Sequence, residues 1–383
     1  MALHFDAKEF EDRKARLLAE MKTAKLDAML LFAQESMYWL TGYDTFGFCF
    51  FQCMIVESTG ETALLTRSAD LRQARHTSNV ETIVVWEDRA NANPTRELKD
   101  LLTDRDLLGK RIGIEYDTQG LTAFNGRRLD EALSTFATLE DSSRIIPRLR
   151  SVKSAAEIAY AKRAAELADD ALDAAIPLIK AGTDESRILA AMQCAVFEGG
   201  GDYAGNEFII GSGEDALLCR YKSGRRVLGP NDQLTLEWAG AYRRYHAAMM
   251  RTVLTGKPSD RHVGLYEAAK KALLACEEVM TPGKTFGDVF DAHAQAMAEA
   301  DLTRHRLNAC GYSLGAHFTP CWMDRPMFIA GNATPIEPNM TLFAHMIIAD
   351  SDSGTAMTLG QTYLTTEAAP QCLSRHSLDL IVG

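Results

Sequence analysis

The stretch from Glu237 to Val253, EWAGAYRRYHAAMMRTV, decides how this chain is read. It lies inside Gln233 to Leu254, a segment whose pattern reads as strand structure. Strand alternation puts His246 on the same face as Ala248 and Met250. Into this run of small and apolar residues the chain inserts Glu237, His246 and Arg251. Buried polar groups of that kind need partners or a task. One reading is structural, with Glu237 paired to Arg243, Arg244 or Arg251. The other is that Glu237 and His246 belong to a site.

Working outward, a pair of helices is expected at Ala155 to Ile179 and Asp184 to Glu198, with a strand at Glu207 to Gly211 between them and the decisive segment. Helices at His262 to Met280 and Thr285 to Ala300 follow, then C-terminal strands. Upstream, strands at Ala28 to Phe32, Cys49 to Val56, Glu61 to Leu65, Glu81 to Val85 and Arg111 to Glu115 alternate with helical segments at Lys8 to Leu26, Ala69 to Thr77, Thr95 to Leu102 and Thr122 to Phe136. That alternation predicts an α/β domain. RIIPRLRSVKS, Arg144 to Ser154, carries a proline and a basic cluster ahead of an Ala-rich helix. The boundary is placed there, giving domains 1–150 and 151–383. The alanines of that helix are read as helix propensity.

A 383-residue chain with 46% hydrophobic and 24% charged residues is too long for one typical core. The N-terminus MALHFDAKEFEDRKARL shows no apolar stretch with a cleavage site, and no later run approaches the ~20 apolar residues of a membrane span. The expectation is a cytoplasmic protein. Eight scattered cysteines without CxxC spacing are expected to be mostly buried, reduced, small apolar groups. A formal charge of -11 and no Lys/Arg-rich run argue against nucleic-acid or anionic-membrane partners. A small molecule is the expected partner.

With these segments in place, the chain resembles the creatinase and prolidase ("pita-bread") hydrolases over essentially its whole length. Metal-binding members place a first Asp before a Gly-rich turn, a Tyr eight positions later, a second Asp eleven later, then Arg-Thr. Here Glu237, Tyr245, Ala248, Arg251 and Thr252 stand at those places. The resemblance continues through GYSLG (Gly311 to Gly315), PNMTLFAHM (Pro338 to Met346) and the LRSVKSAAEI helix. It implies an α/β N-terminal domain plus an α+β pita-bread C-terminal domain, and a homodimer. The same resemblance makes Glu237, Ala248, Tyr312, His345 and Gly360 the counterparts of the metal ligands. Two divalent ions need hard, bridging carboxylates, and one carboxylate cannot neutralise them. The expectation is therefore no metal and no cofactor. Creatinase hydrolyses a C–N bond on this fold without metal, and RRYH with GYSLG is most similar to the ectoine hydrolases.

On this resemblance Glu237, His246, His345 and Tyr312 are the candidate catalytic residues. Desolvation would raise the pKa of Glu237 unless a cationic substrate compensates. Arg220, in LLCRYKSGRR, stands near the place of creatinase's general-base histidine and suits a substrate carboxylate better than base chemistry. His317 is a candidate substrate contact. Tyr43, Asp44 and Phe46, in YWLTGYDTFGF, resemble the family segment that lines the site, often from a dimer partner. His293, His305 and His376 read as core histidines. The expected activity is metal-independent hydrolysis of a C–N bond in a small amidine, guanidino or cyclic amide compound, ectoine-like or creatine-like. The alternatives are an Xaa-Pro dipeptidase-like enzyme with a mononuclear site rebuilt from Glu237, His246 and His345, and an inactive pita-bread binding protein.

Overall fold

The structure is a computed structural model and describes residues 3–220 and 225–383. Its contacts divide the chain into two compact units, Met1–Arg150 and Ser151–Gly383. In the first, strands β1 (Ala28–Leu31), β2 (Cys53–Glu57), β3 (Thr62–Arg67), β4 (Thr82–Trp86), β5 (Arg111–Ile114) and β6 (Thr138–Asp141) form a sheet in the order β4-β3-β2-β1-β5-β6. Helices α1 (Ala7–Ala24), α2 (Gln34–Thr41), α3 (Ser68–Thr77), α4 (Pro94–Asp104) and α5 (Ala123–Leu133) alternate with these strands. The apolar run at β1 is buried at every position, as expected of a central strand packed on both faces. The basic segment before the boundary is itself a helix, α6 (Ile145–Ser151).

The second unit is built on an antiparallel sheet in the order β11-β10-β12-β13-β9-β8-β7. Its strands are β7 (Ile209–Ser212), β8 (Asp232–Tyr242), β9 (Tyr245–Thr255), β10 (Gly311–Ser313), β11 (Asp324–Met327), β12 (Thr341–Asp350) and β13 (Thr355–Leu364). Its helices are α7 (Ala155–Ala175), α8 (Glu185–Glu198), α9 (Asp260–Val279) and α10 (Phe286–Glu299). Reciprocal capping boxes, Ser154 with Glu157 and Thr285 with Asp288, set the starts of α7 and α10 by satisfying otherwise orphaned N–H groups.

The Ala-rich composition of α7 has a packing reason beyond helix propensity. A Cβ on Gly240 of β8 would lie only 1.9 Å from the Ala164 carbonyl oxygen, so the helix rides directly on the strand backbone. Only small residues on both sides permit that approach. The contact is locked by Trp238, whose indole N–H donates to the Ala168 carbonyl at 2.8 Å, and by Tyr245, whose hydroxyl donates to Glu157 at 2.6 Å. β8 and β9 are joined by a two-residue turn in which Arg243 and Arg244 both take positive φ, 48° and 68°, which suits the twist of the hairpin. Neither guanidinium turns back to Glu237: Arg243 stacks on Tyr160, and Arg244 lies over Phe318. Of the eight cysteines, which are all free, only Cys53, Cys276 and Cys310 are fully buried, fewer than composition led us to expect. None of the described helices is long and apolar enough to cross a membrane.

Candidate active site

Residues directly opposite one another in a sheet point to the same face. The register of the second unit therefore assembles a row. Ile209 of β7 lies opposite Glu237 of β8, Glu237 opposite Met250 of β9, Met250 opposite Gly360 of β13, and Gly360 opposite His345 of β12. Beside it run Ala239 opposite Ala248, and Thr362 opposite Phe343 opposite Tyr312. The five positions read from sequence as counterparts of metal ligands, 237, 248, 312, 345 and 360, thus share one face within two neighbouring rows. These long-range juxtapositions come from five different strands.

Glu237 is 7% exposed. Among the described residues its carboxylate has no hydrogen-bond partner. Burial pushes its pKa up to about 7, and the charge of Arg220 offsets part of that rise. The structural pairing with Arg251 is absent, because that guanidinium donates to the carbonyls of Met250 and Gly360. Tyr312, Phe343 and His345 pack as a triangle of rings with centroids 5.4 to 5.6 Å apart. The Tyr312 hydroxyl accepts a 2.9 Å hydrogen bond from the indole N–H of Trp322. Burial, and then the nearby Glu237, raise the phenol's pKa, so it stays protonated and remains a donor. The Nδ1 atom of His345 is buried and has no hydrogen-bond partner among the described residues. Burial, with the charges of His293 and Arg220, lowers its pKa to about 3, so the imidazole is neutral.

The remaining candidates are placed as follows. His246 lies on the same face as Ala248 and Met250, fully buried and, with a pKa near 3 caused chiefly by burial and then by His317, neutral. Its Nε2 accepts the Gly205 N–H at 2.9 Å, and its Nδ1 lies 3.4 Å from the Gly315 carbonyl. His317 sits 3.4 Å from Asp324. Arg220 is exposed, and the Tyr221–Gly224 part of its motif lies outside the described residues. In the N-terminal unit Tyr43 is buried, donating to Gln52 at 3.2 Å, Asp44 is half-buried, and Phe46 is 77% exposed. Sequence reasoning placed Met250 on this face but missed Phe343 and Trp322. Period-two alternation from His345 points to Phe343. Nothing local points to Trp322.

Does this face suit a dinuclear metal site? Ala248 offers no donor, and Gly360 has no room for one. A Cβ there would meet the Ala344 oxygen at 2.9 Å and both His345 Cβ and Phe343 Cζ at 3.0 Å. The space a ligand at 360 would use is filled by the Phe343 ring. Nor do Glu237, His246 and His345 converge on one point. Among the described residues the one metal-like grouping is His305, Asp350 and Asp352. There Arg261 and Arg304 already pair with the two carboxylates. The residues present do not fit the family's metal centre.

Comparison with known proteins agrees with this geometry at the level of fold. The family model described as metallopeptidase family M24 matches residues 159–367, and that of the creatinase/prolidase N-terminal domain matches residues 13–152. The chain is 26% identical to an ectoine hydrolase from Halomonas elongata, covering 100% of this chain and 99% of that protein. It is 20% identical to an Xaa-Pro dipeptidase from Pyrococcus furiosus, covering 86% of this chain and 90% of that protein. Among solved structures, a prolidase from Thermococcus sibiricus superposes with a TM-score of 0.87 at 19% identity, covering 98% of this chain and 99% of that one. The dipeptidase PepE from Mycobacterium ulcerans gives 0.85 at 21%, covering 99% of both. The expected pita-bread architecture is therefore the observed one.

Proposed function

Since this chain belongs to metallopeptidase family M24 but does not carry the donors of that family's metal site, we propose that it is a metal-independent hydrolase. Its substrate on this reading is a small amidine, guanidino or cyclic amide compound, and the bond cleaved is C–N. The observation that carries the reading is Glu237: a nearly buried carboxylate, without a hydrogen-bond partner among the described residues, with its pKa raised to about 7. A carboxylate left in that state favours an incoming cation, which restores the charge compensation burial removed. A general base is also most effective when its pKa lies near the working pH. The whole-length similarity to an ectoine hydrolase supports the same substrate class.

In the proposed mechanism Glu237 takes a proton from water as the water oxygen forms its bond to the electrophilic amidine or amide carbon. The Tyr312 hydroxyl donates a hydrogen bond to the heteroatom on which electron density accumulates, an electrostatic role that a permanently protonated phenol can hold. The tetrahedral adduct then expels the amine. The lone pair on that heteroatom re-forms its double bond to carbon, the C–N bond breaks, and the proton held by Glu237 passes to the departing nitrogen; an amide gives the carboxylic acid directly, and an amidine gives an imidic acid whose hydroxyl proton moves to its remaining nitrogen as the C=O bond forms. Neutral His345, whose Nδ1 has no hydrogen-bond partner among the described residues, hydrogen-bonds substrate on this reading. Arg220, whose charge reaches Glu237, Tyr312 and His345, anchors a substrate carboxylate.

The test is a thermal-shift and turnover screen of ectoine, hydroxyectoine, creatine and Xaa-Pro dipeptides, since a ligand of the folded state raises its melting temperature by mass action. A hit among the first three, with Glu237→Gln turning over at least ~100-fold more slowly while still folded, is the expected result. Turnover of the dipeptides alone, or near-normal turnover by the Gln variant, would remove this mechanism.

A further inference from the structure

Trp322 and His246 share one connected feature that the mechanism has not used. The indole N–H of Trp322 occupies a lone pair of the Tyr312 oxygen. The Trp322 main-chain N–H reaches the Asn206 side-chain oxygen at 3.3 Å. Gly205 is pressed so tightly on this segment that a Cβ would stand 2.8 Å from the Cys321 carbonyl and 2.9 Å from the Trp322 nitrogen. The Gly205 N–H is in turn held by His246 Nε2. The backbone N–H of His246 donates to the Gly315 carbonyl at 3.2 Å, and Nδ1 faces the same oxygen at 3.4 Å.

We propose that His246 and Trp322 are positioning residues that aim the Tyr312 hydroxyl proton into the site. His246 is the clamp. By accepting from Gly205 and facing Gly315, it ties the segment under Trp322 to the end of β10, the strand that carries Tyr312. Trp322 is the orienter. A phenol oxygen that already accepts from an indole has its own O–H turned away from that donor, toward the face shared with Glu237 and His345. The arrangement requires the imidazole to stay neutral, because protonated Nε2 cannot accept from Gly205. Complete burial beside His317 and Arg244 keeps it so. His246 thereby acts through two other side chains and not on substrate.

This inference rests on the reading of Tyr312 as a donor in the proposed mechanism, so its test has an arm that needs no substrate. The chain has four tryptophans and hence four indole N–H signals in a 15N-tryptophan-labelled sample. The signal lost in Trp322→Phe identifies Trp322. It is expected to shift in Tyr312→Phe. In His246→Leu, which keeps bulk but loses the acceptor, it should exchange with solvent at least ~10-fold faster while the other three are unchanged. His246→Gln, whose side-chain oxygen can replace Nε2, should restore protection. In the activity arm, Trp322→Phe and His246→Leu should lower kcat on the order of 10- to 100-fold with KM little changed, the size of effect a misaimed catalytic group produces. Trp322→Phe combined with Tyr312→Phe should be no slower than Tyr312→Phe alone. Unchanged indole exchange in His246→Leu, or additive kcat losses in the double variant, would overturn the inference. If no compound is hydrolysed, the mechanism fails but the exchange arm still decides whether the clamp exists. Should His246→Leu not fold, His246→Phe, which keeps a ring but has no acceptor for the Gly205 N–H, takes its place in the same exchange measurement, with the same faster exchange expected and unchanged exchange overturning the inference.

Discussion

Gly360 provides the sharpest test of why this site does not fit the family's metal centre. Replacing it with alanine adds one methyl group, and the three atoms that methyl would meet are at 2.9 to 3.0 Å. Two of them, the Ala344 oxygen and His345 Cβ, belong to the neighbouring strand and cannot swing aside. The third is the tip of Phe343, a fully buried ring wedged against Tyr312 and His345. Overpacking of this kind costs about 1–3 kcal/mol. Against it stands the gain from a less flexible unfolded chain, about 0.4–1 kcal/mol for Gly→Ala where the backbone is unstrained. The net expectation is a loss of about 1–2 kcal/mol. For a unit of this size that corresponds to a melting temperature lowered by roughly 3–6 °C. Calorimetry of Gly360→Ala reads it directly, and adding Phe343→Leu should couple favourably by freeing part of the space. Gly360→Glu by itself should gain no stoichiometric Mn2+ or Co2+. A Gly360→Ala protein as stable as the parent, or a Gly360→Glu protein that binds one of these ions stoichiometrically, would refute the argument that Phe343 plugs this position.

Four further outcomes are expected. If Glu237 is the base, kcat/KM should rise with pH through about 7 and level off above it, and a profile flat from pH 5 to 9 would exclude the assignment. Stability should fall as pH drops below 6.5. The buried His246, His345 and His293 stay neutral in the fold down to about 3, 3 and 4, so the unfolded chain binds more protons there. Glu237 and Glu115, raised to about 7, act in the opposite sense between about 4.5 and 7, so the loss should steepen below pH 4.5, which melting curves at fixed ionic strength will show. EDTA should leave activity unchanged, and elemental analysis of protein purified without a metal-affinity tag should find no stoichiometric divalent ion. Light scattering should give twice the 42.2 kDa chain mass, because the exposed Phe46 and Phe50 suit an interface better than solvent, and a monomer at micromolar concentration would contradict the proposed dimer.

Local pattern was enough for much of the fold. Periodicity located β8 and β9 and the helices α7 to α10 to within a few residues, because an amphipathic period is a property of neighbouring residues. The same alternation placed His246, Ala248 and Met250 on one face, and motif spacing marked Glu237, Tyr312 and His345. It could not show that α2 would form within the aromatic segment, where a buried Glu115 accepts from Phe32, Ala33 and Ser36 at the helix start, 79 or more residues away in sequence. Nor could it separate His246, tied to backbone by its ring, from His345, whose Nδ1 has no partner among the described residues, since both are lone histidines on apolar strands. Only the tertiary structure decided that Arg243, Arg244 and Arg251 pack away from Glu237, that Phe343 fills the space at Gly360, and that Trp322 reaches Tyr312. Each of these depends on which strands and loops pack together, and a hydrogen bond or steric contact between distant segments leaves no period in the chain that makes it.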